Sequence, residues 1–166
     1  GMNKFQEAAD DFKFVGDRYQ PQSDGDLLQK ASLGLAWSWA KLGDLQKSLK
    51  QFQNVIDRSE DQDQKVNAQA QMADVTHDAG KLNEAIDMYA QILKDHPQNP
   101  LADYIEYRLG VTLLKAEKYE TARDAFEHVQ QDYPQSKYQE DFNYYLGVIA
   151  FKQGHFDTAA SRMEAF

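Results

Sequence analysis

The chain contains no cysteine among its 166 residues. That excludes disulfides, thiolate metal sites and cysteine nucleophiles. It leaves the compartment open, because cytosolic and exported proteins alike can lack the residue. No apolar run approaches the ~20 residues that a spanning helix needs, so direct membrane insertion is not expected. Positive charge is scarce, with 18 Lys and Arg against 27 Asp and Glu and a net charge of −9. No basic stripe is present to neutralise phosphates, which argues against nucleic acid as a partner. An anionic membrane surface would repel the chain for the same reason. No charged-then-apolar segment opens the sequence. Gly1 before Met2 has the look of a tag-cleavage scar, so a native signal or an upstream domain could have preceded it.

What is present suffices for a folded domain. Apolar residues make up 42% and charged residues 27%, ordinary values for a soluble globular chain. The stretch Leu109–Phe126, LGVTLLKAEKYETARDAF, returns as LGVIAFKQGHFDTAASRM at Leu146–Met163, an offset of 37 residues. The offset extends through the chain. Ala36, Ala73, Gly110 and Gly147 form one series of small residues, and Ser48, Ala85, Ala122 and Ala159 another. Leu45, Leu82, Tyr119 and Phe156 are large, as are Phe52, Tyr89, Phe126 and Met163, followed by Val55, Ile92, Val129 and Phe166. Several independent series sharing one period mark an internal repeat.

Each unit reads as two helices. Tyr104, Tyr107, Val111 and Leu114 recur at helical spacing, then Tyr119, Ala122, Phe126 and Val129 do so again after a short break. Small residues suit close helix approach and large ones fill the space beside them. Gly43, Gly80 and Gly154 fall in the inter-helix turns, where a left-handed backbone is expected. Glu117 stands at that place in the third unit, so a turn of different build is expected there. Asp44, Asn83 and Asp157 are candidate N-caps, and Asn99-Pro100 and Ser136 suit helix starts.

The order Leu-Gly, large residue, turn, aromatic, Ala, aromatic, Pro resembles the tetratricopeptide repeat, whose period is about 34 residues. The phrasing YPQSKYQEDFNYYLGVIAFKQGHFDTA is similar to units of bacterial cell-envelope proteins, among them the Tol-associated periplasmic protein and the outer-membrane assembly lipoprotein. That likeness favours the periplasm or cell envelope over the cytoplasm. The resemblance implies an all-α, right-handed solenoid of antiparallel helix pairs forming a single domain over residues 1–166. Its expected parts are an orphan second helix (2–20), repeats at 27–60, 66–97 and 103–134, and an incomplete repeat at 137–166. Arrays normally finish in polar caps, so one that starts and stops within a unit points to a segment of a longer protein.

Catalytic signatures are missing. His77, His96, His128 and His155 occupy unlike places in the repeat and form no metal-binding spacing, and no GxSxG, GxxxxGK or GxGxxG occurs. DRSEDQDQ, Asp57 to Gln64, lacks the central glycine and terminal glutamate of a calcium loop and reads as a solvated connection. Neither an enzyme, nor a metal, nor a cofactor is expected.

In this family the first helices line a concave groove. Carried over unit by unit, the resemblance implies inward residues Lys30, Leu33, Trp37, Ala40 and Lys41, then Asn67, Ala70, Asp74, His77 and Asp78. The third unit supplies Tyr104, Tyr107, Val111, Leu114 and Lys115, and the fourth Asp141, Tyr144, Val148, Phe151 and Lys152. This face holds four Lys against three Asp, and is the least acidic part of an acidic chain. Leu33 and Trp37 stand where a carboxylate-gripping array would place Lys and Asn, which argues against chaperone-tail binding. The aromatic residues suit an amphipathic or extended segment. Tyr107, Tyr144 and Trp37 could equally serve packing. A non-catalytic scaffold for a protein or peptide is thus the expected function. The alternatives are self-association through apolar ends at Phe5, Phe12 and Phe166, giving a homodimer or oligomer, and a regulatory array attached to a missing domain.

Overall fold

The computed structural model describes residues 2–18 and 21–164, with side chains from residue 25 onward in the second stretch. Among the described residues there are nine helices and no strand, an all-α helical-repeat solenoid. They are α1 (Met2–Arg18), α2 (Pro21–Lys41), α3 (Leu45–Arg58), α4 (Gln62–Asp78), α5 (Leu82–Asp95), α6 (Ala102–Lys115), α7 (Tyr119–Asp132), α8 (Gln139–Lys152) and α9 (Phe156–Glu164). They form two compact units, Gly1–Gly80 and Lys81–Phe166.

Three of the 37-residue series become the buried ridge of α3, α5 and α7, whereas in α9 Ala159 is buried and Phe156 and Met163 are exposed, at 62% and 43%. Ser48, Phe52 and Val55 are the buried residues of α3, Ala85, Tyr89 and Ile92 those of α5, and Ala122, Phe126 and Val129 those of α7. Steps of four and three keep each trio on one face. In the first unit Phe52 packs with Ala36 and Val75. In the second, Phe126 joins Leu113, Val129, Phe142, Leu146 and Ile149. Ser48 departs from the alanine of the other units, and its Oγ is buried with no hydrogen-bond partner.

The turns answer one expectation and correct another. Gly43, Gly80 and Gly154 adopt φ of 83°, 78° and 81°. Glu117 does not make a different turn: it takes φ 60° in the same one. The next residue's N–H reaches back alike in three of them, Asp44 to the Trp39 carbonyl at 2.9 Å, Lys118 to Leu113 at 2.9 Å and His155 to Ala150 at 2.8 Å. The backbone hydrogen bonds impose the conformation whatever the side chain.

Capping is also narrower than expected. Asp44 accepts from the Lys47 N–H at 3.1 Å and caps α3; the Lys47 ammonium 2.6 Å away, and then that backbone bond, hold its carboxyl below the usual range. Asn83 and Asp157 are not caps, since α5 and α9 begin one residue before them. Asn99 and Ser136 likewise sit in turns ahead of α6 and α8, where each accepts from the N–H two residues on, Leu101 at 2.9 Å and Tyr138 at 3.3 Å. The acidic stretch is shorter as a connection than expected: Asp61 accepts from the Gln64 N–H at 3.0 Å and starts α4 four residues early. Helix α2 begins at Pro21, six residues before its expected start.

Candidate functional site

The candidate surface consists of the first helices of the two units. In the first unit, α2 and α4 bring Lys30, Leu33 and Asn67 together. With Asp26, Gln29 and Gln64 they line a shallow cleft of about 230 Å³. Further along α2, the Trp37 indole N–H donates to Gln71 Oε1 at 2.6 Å. Gln71 Nε2 in turn donates to Asn67 Oδ1. Lys41 lies over the Trp37 ring, 5.6 Å from its centre, and pairs with Asp78 at 3.8 Å. Trp37 also meets Phe52 edge-on at 6.2 Å. Its ring is therefore packed while its polar edge belongs to the surface network, and Ala40 packs into the same core.

Ala70, Asp74 and His77 stand apart from this surface. They are 2%, 6% and 7% exposed, so they offer a partner almost nothing. Eight residues of α4 are buried, on more than one side of the helix. A helix buried over so wide an arc has little open face left.

In the second unit, Tyr107 is the hub of an aromatic cluster rather than a free groove residue. It stacks on Tyr138 at 4.5 Å with rings 7° apart. It also meets Phe126, Phe142 and Tyr145 at 6.5, 6.0 and 6.0 Å. Burial, followed by a hydrogen bond with Tyr145, raises its hydroxyl pKa well above the ordinary tyrosine value. Tyr104 lies against Tyr138 at 6.1 Å, and Val111, Leu114, Asp141 and Val148 are half-buried. The open part of this face is Tyr144, Lys115, Phe151 and Lys152. Tyr144 is 43% and Phe151 57% exposed, and Phe151 meets Phe156 at 5.6 Å.

Sequence reasoning missed Gln71, Gln29, Gln64 and Asp26. The first was legible in principle, because Gln71 stands one helical turn after Asn67. Tyr138 is structural: it is the stacking partner of Tyr107. Phe12, expected at a free end, instead packs against Gly34, where an added methyl would sit 2.5 Å from its ring. Phe166 lies outside the described residues. Phe5 and Phe14 on α1 are exposed, at 39% and 57%.

Outside the groove, His128 bridges two carboxylates, with Nδ1 2.6 Å from Glu106 and Nε2 3.2 Å from Asp132. Burial pushes the Glu106 carboxyl above its ordinary pKa, and His128 opposes that shift. Among the described residues no three His, Asp or Glu converge as a metal site, and no helix is long and apolar enough to cross a membrane.

The fold has clear relatives. BtubC (BKLC) from P. vanneervenii aligns over 98% of this chain and 69% of its own, at 19% identity and a TM-score of 0.74. An array of nearly identical tetratricopeptide-like repeats from P. anserina aligns over 98% and 85%, at 14% identity and 0.74. The apo form of RapI gives 0.80 at 11% identity, with 98% of this chain and 48% of that one covered. At such identities the likeness concerns the fold. No curated protein sequence matches the chain. The profile of the tetratricopeptide repeat-like domain matches residues 3–142, and the chain belongs to that family.

Proposed function

We propose that the chain is a non-catalytic scaffold that binds a protein or peptide partner on the open faces of its first helices. The repeat fold supports a protein-interaction role in general, because stacked helix pairs offer extended surface without a reactive centre. The observation that carries the finer reading is the partition of the first helices. Ala36, Ala73, Gly110 and Gly147 are buried and committed to packing. Lys30, Leu33 and Asn67 in one unit, and Tyr144 and Phe151 in the other, remain at the surface. Tyrosine suits such a face because it offers apolar area and a hydroxyl with few rotors to freeze.

The test is capture from host-cell lysate by the full chain beside two double variants, Lys30→Ala/Asn67→Ala and Tyr144→Ala/Phe151→Ala. These positions are exposed, so circular dichroism should show unchanged folds. Loss of a captured protein with either variant supports the reading, and identical capture by all three refutes it. Self-association is the second reading, favoured by the exposure of Phe151, Phe156 and Met163 in one unit and of Phe5 and Phe14 in the other. It predicts a solution mass above 19.0 kDa that falls in Phe156→Ser.

A further inference from the structure

Near the end of α7 a single imidazole serves two acids. His128 has Nδ1 2.6 Å from Glu106 Oε1 on α6 and Nε2 3.2 Å from Asp132 Oδ2, one turn further along α7. A neutral imidazole carries one N–H, so its other nitrogen would turn a lone pair on a carboxylate oxygen. The geometry therefore calls for a second proton within the trio. Its loss matters most at Glu106, whose side chain is 12% exposed against 58% for His128, because a carboxylate left there without a cation is poorly solvated. The surroundings supply no substitute. The last turns of α3 and α5 hold Arg58 and Lys94, but that of α7 holds no basic residue, although a cation is favoured at the negative end of a helix. Arg123, more than one turn before His128, pairs with Glu120 and Asp124. Besides Glu106, α6 brings Asp103, which accepts from the Ser136 hydroxyl at 2.8 Å. Helix α8 adds the first-turn acids Glu140 and Asp141, and meets α7 through Asn143, bound to Gln130 at 3.2 Å. In the α7–α8 connection, Lys137 lies over the Tyr138 ring at 5.0 Å. Burial, and then the charges of Glu106, Asp132 and Asp103, raise the Tyr133 hydroxyl above its ordinary pKa, so the start of that connection lies beside the same acids.

Packing does not require this chemistry. The places 37 residues earlier hold Gln69, Gln91 and Asp95, and Gln91 Nε2 donates to Asp95 Oδ2 at 2.7 Å. An amide donates at every pH, whereas imidazole is the side chain that changes charge around neutrality. We propose that the Glu106–His128–Asp132 trio is a proton-dependent latch, closed in mild acid, that ties the end of α7 and the start of the α7–α8 connection to α6 and releases them as pH rises through neutrality. When the proton leaves to solvent, Glu106 and Asp132 share one N–H between them. The sign follows from linkage: the folded trio retains the proton, so its contribution is complete in acid and is lost as pH rises. The upward shift of the buried Glu106 carboxyl runs the same way.

The test is hydrogen exchange of the full chain, followed by NMR from about pH 5.5 to about pH 8 and corrected for the intrinsic rate of each amide. The Tyr133 N–H, bonded to the Val129 carbonyl at 3.0 Å, reports on the end of α7. The Ser59 N–H, bonded to the Val55 carbonyl at 3.0 Å at the matching place after α3, is the reference. Protection at Tyr133 should fall about tenfold more than at Ser59, the scale of one hydrogen bond to a charged group. The fall should track the imidazole 15N shifts of His128. The double variant Glu106→Gln/His128→Gln gives the site the neutral residues of the preceding unit, and should keep Tyr133 protected while abolishing the pH dependence. Parallel protection at Tyr133 and Ser59 across the range, a fall out of step with the imidazole shifts, or the same fall in the double variant would overturn the proposal. The first two of these results need no variant.

Discussion

Gly110 and Gly147 occupy one repeat position, and the same substitution should act on them with different sign. Both are buried on first helices, in α6 and α8. A methyl at Gly110 would lie 2.8 and 2.9 Å from two ring atoms of Phe126. Phe126 cannot yield. It is fully buried, stacked on Tyr145 at 5.2 Å with rings 6° apart, and 6.3 Å from Phe142. Overpacking of this kind costs about 1–3 kcal/mol, and alanine returns about 1 kcal/mol of helix propensity. Gly110→Ala should therefore destabilise by up to about 2 kcal/mol, lowering Tm by as much as a few degrees in a chain of this size. At Gly147 the nearest atom is Cγ of Met163, at 3.1 Å, on a flexible and exposed side chain. The clash relaxes by rotation and the propensity gain remains, so Gly147→Ala should be neutral or stabilise by up to about 1 kcal/mol. Urea denaturation of both variants, followed by circular dichroism, gives the comparison. Adding Phe126→Leu should cost less in the Gly110→Ala background than in wild type. Equal effects at the two glycines, or no coupling to Phe126, would refute the argument from side-chain freedom.

Three further outcomes follow from the same geometry. Ser48→Ala should stabilise by roughly 0.5–2 kcal/mol in urea denaturation, because it removes a buried hydroxyl without a partner and installs the residue of the other units. Glu117→Gly should stabilise by about 1 kcal/mol, since glycine takes the left-handed conformation without a Cβ penalty; a loss on denaturant titration would show that the Glu117 side chain contributes more than its backbone costs. Glu106→Gln should help the fold more as pH rises. The Glu106 pKa is raised in the folded state, so its stabilising contribution is complete below its unfolded value near 4.5 and is lost as pH climbs through the folded value. The Tm difference between variant and wild type should grow in favour of glutamine from about pH 4 to about pH 7, and a shrinking difference would overturn the assignment of burial as the dominant cause.

The repeat was legible because packing repeats. A second helix must present small, large and β-branched or aliphatic residues at fixed steps to meet its neighbours, and those positions lie 37 residues apart in the chain. Positions decided by backbone hydrogen bonding were harder to read. Glu117 looked like a break in the pattern because only its side chain was visible in the sequence, while the bonds from Glu117 and Lys118 back to Leu114 and Leu113 at 3.0 and 2.9 Å hold the turn. The groove was the least legible part. Leu33 and Ala70 share one repeat position, yet Ala70 is 2% exposed and Leu33 is half-buried beside a cleft. Helical projection counts angles around one helix and does not know how many neighbours surround it.

This difference says where discrimination between partners can reside. Positions that hold the helices together must repeat their size, so they cannot differ enough to recognise anything. Ser48, Ala85, Ala122 and Ala159 are all small and all buried. The position occupied in turn by Lys30, Asn67, Tyr104 and Asp141 is under no such demand. It runs through a cation, an amide, a phenol and an acid, and none of the four is fully buried. Repeat geometry presents that position at the same place on each first helix, so its chemistry varies where packing does not. Packing constrains the period and leaves chemical variation to the residues that break it. Asn67 is the sharpest case. Its orientation depends on Gln71 and Trp37, and 37 residues on the matching places hold Arg108 and Asp74, neither an amide nor an indole. A contact built from three non-repeating residues occurs at one place in the array, between α2 and α4.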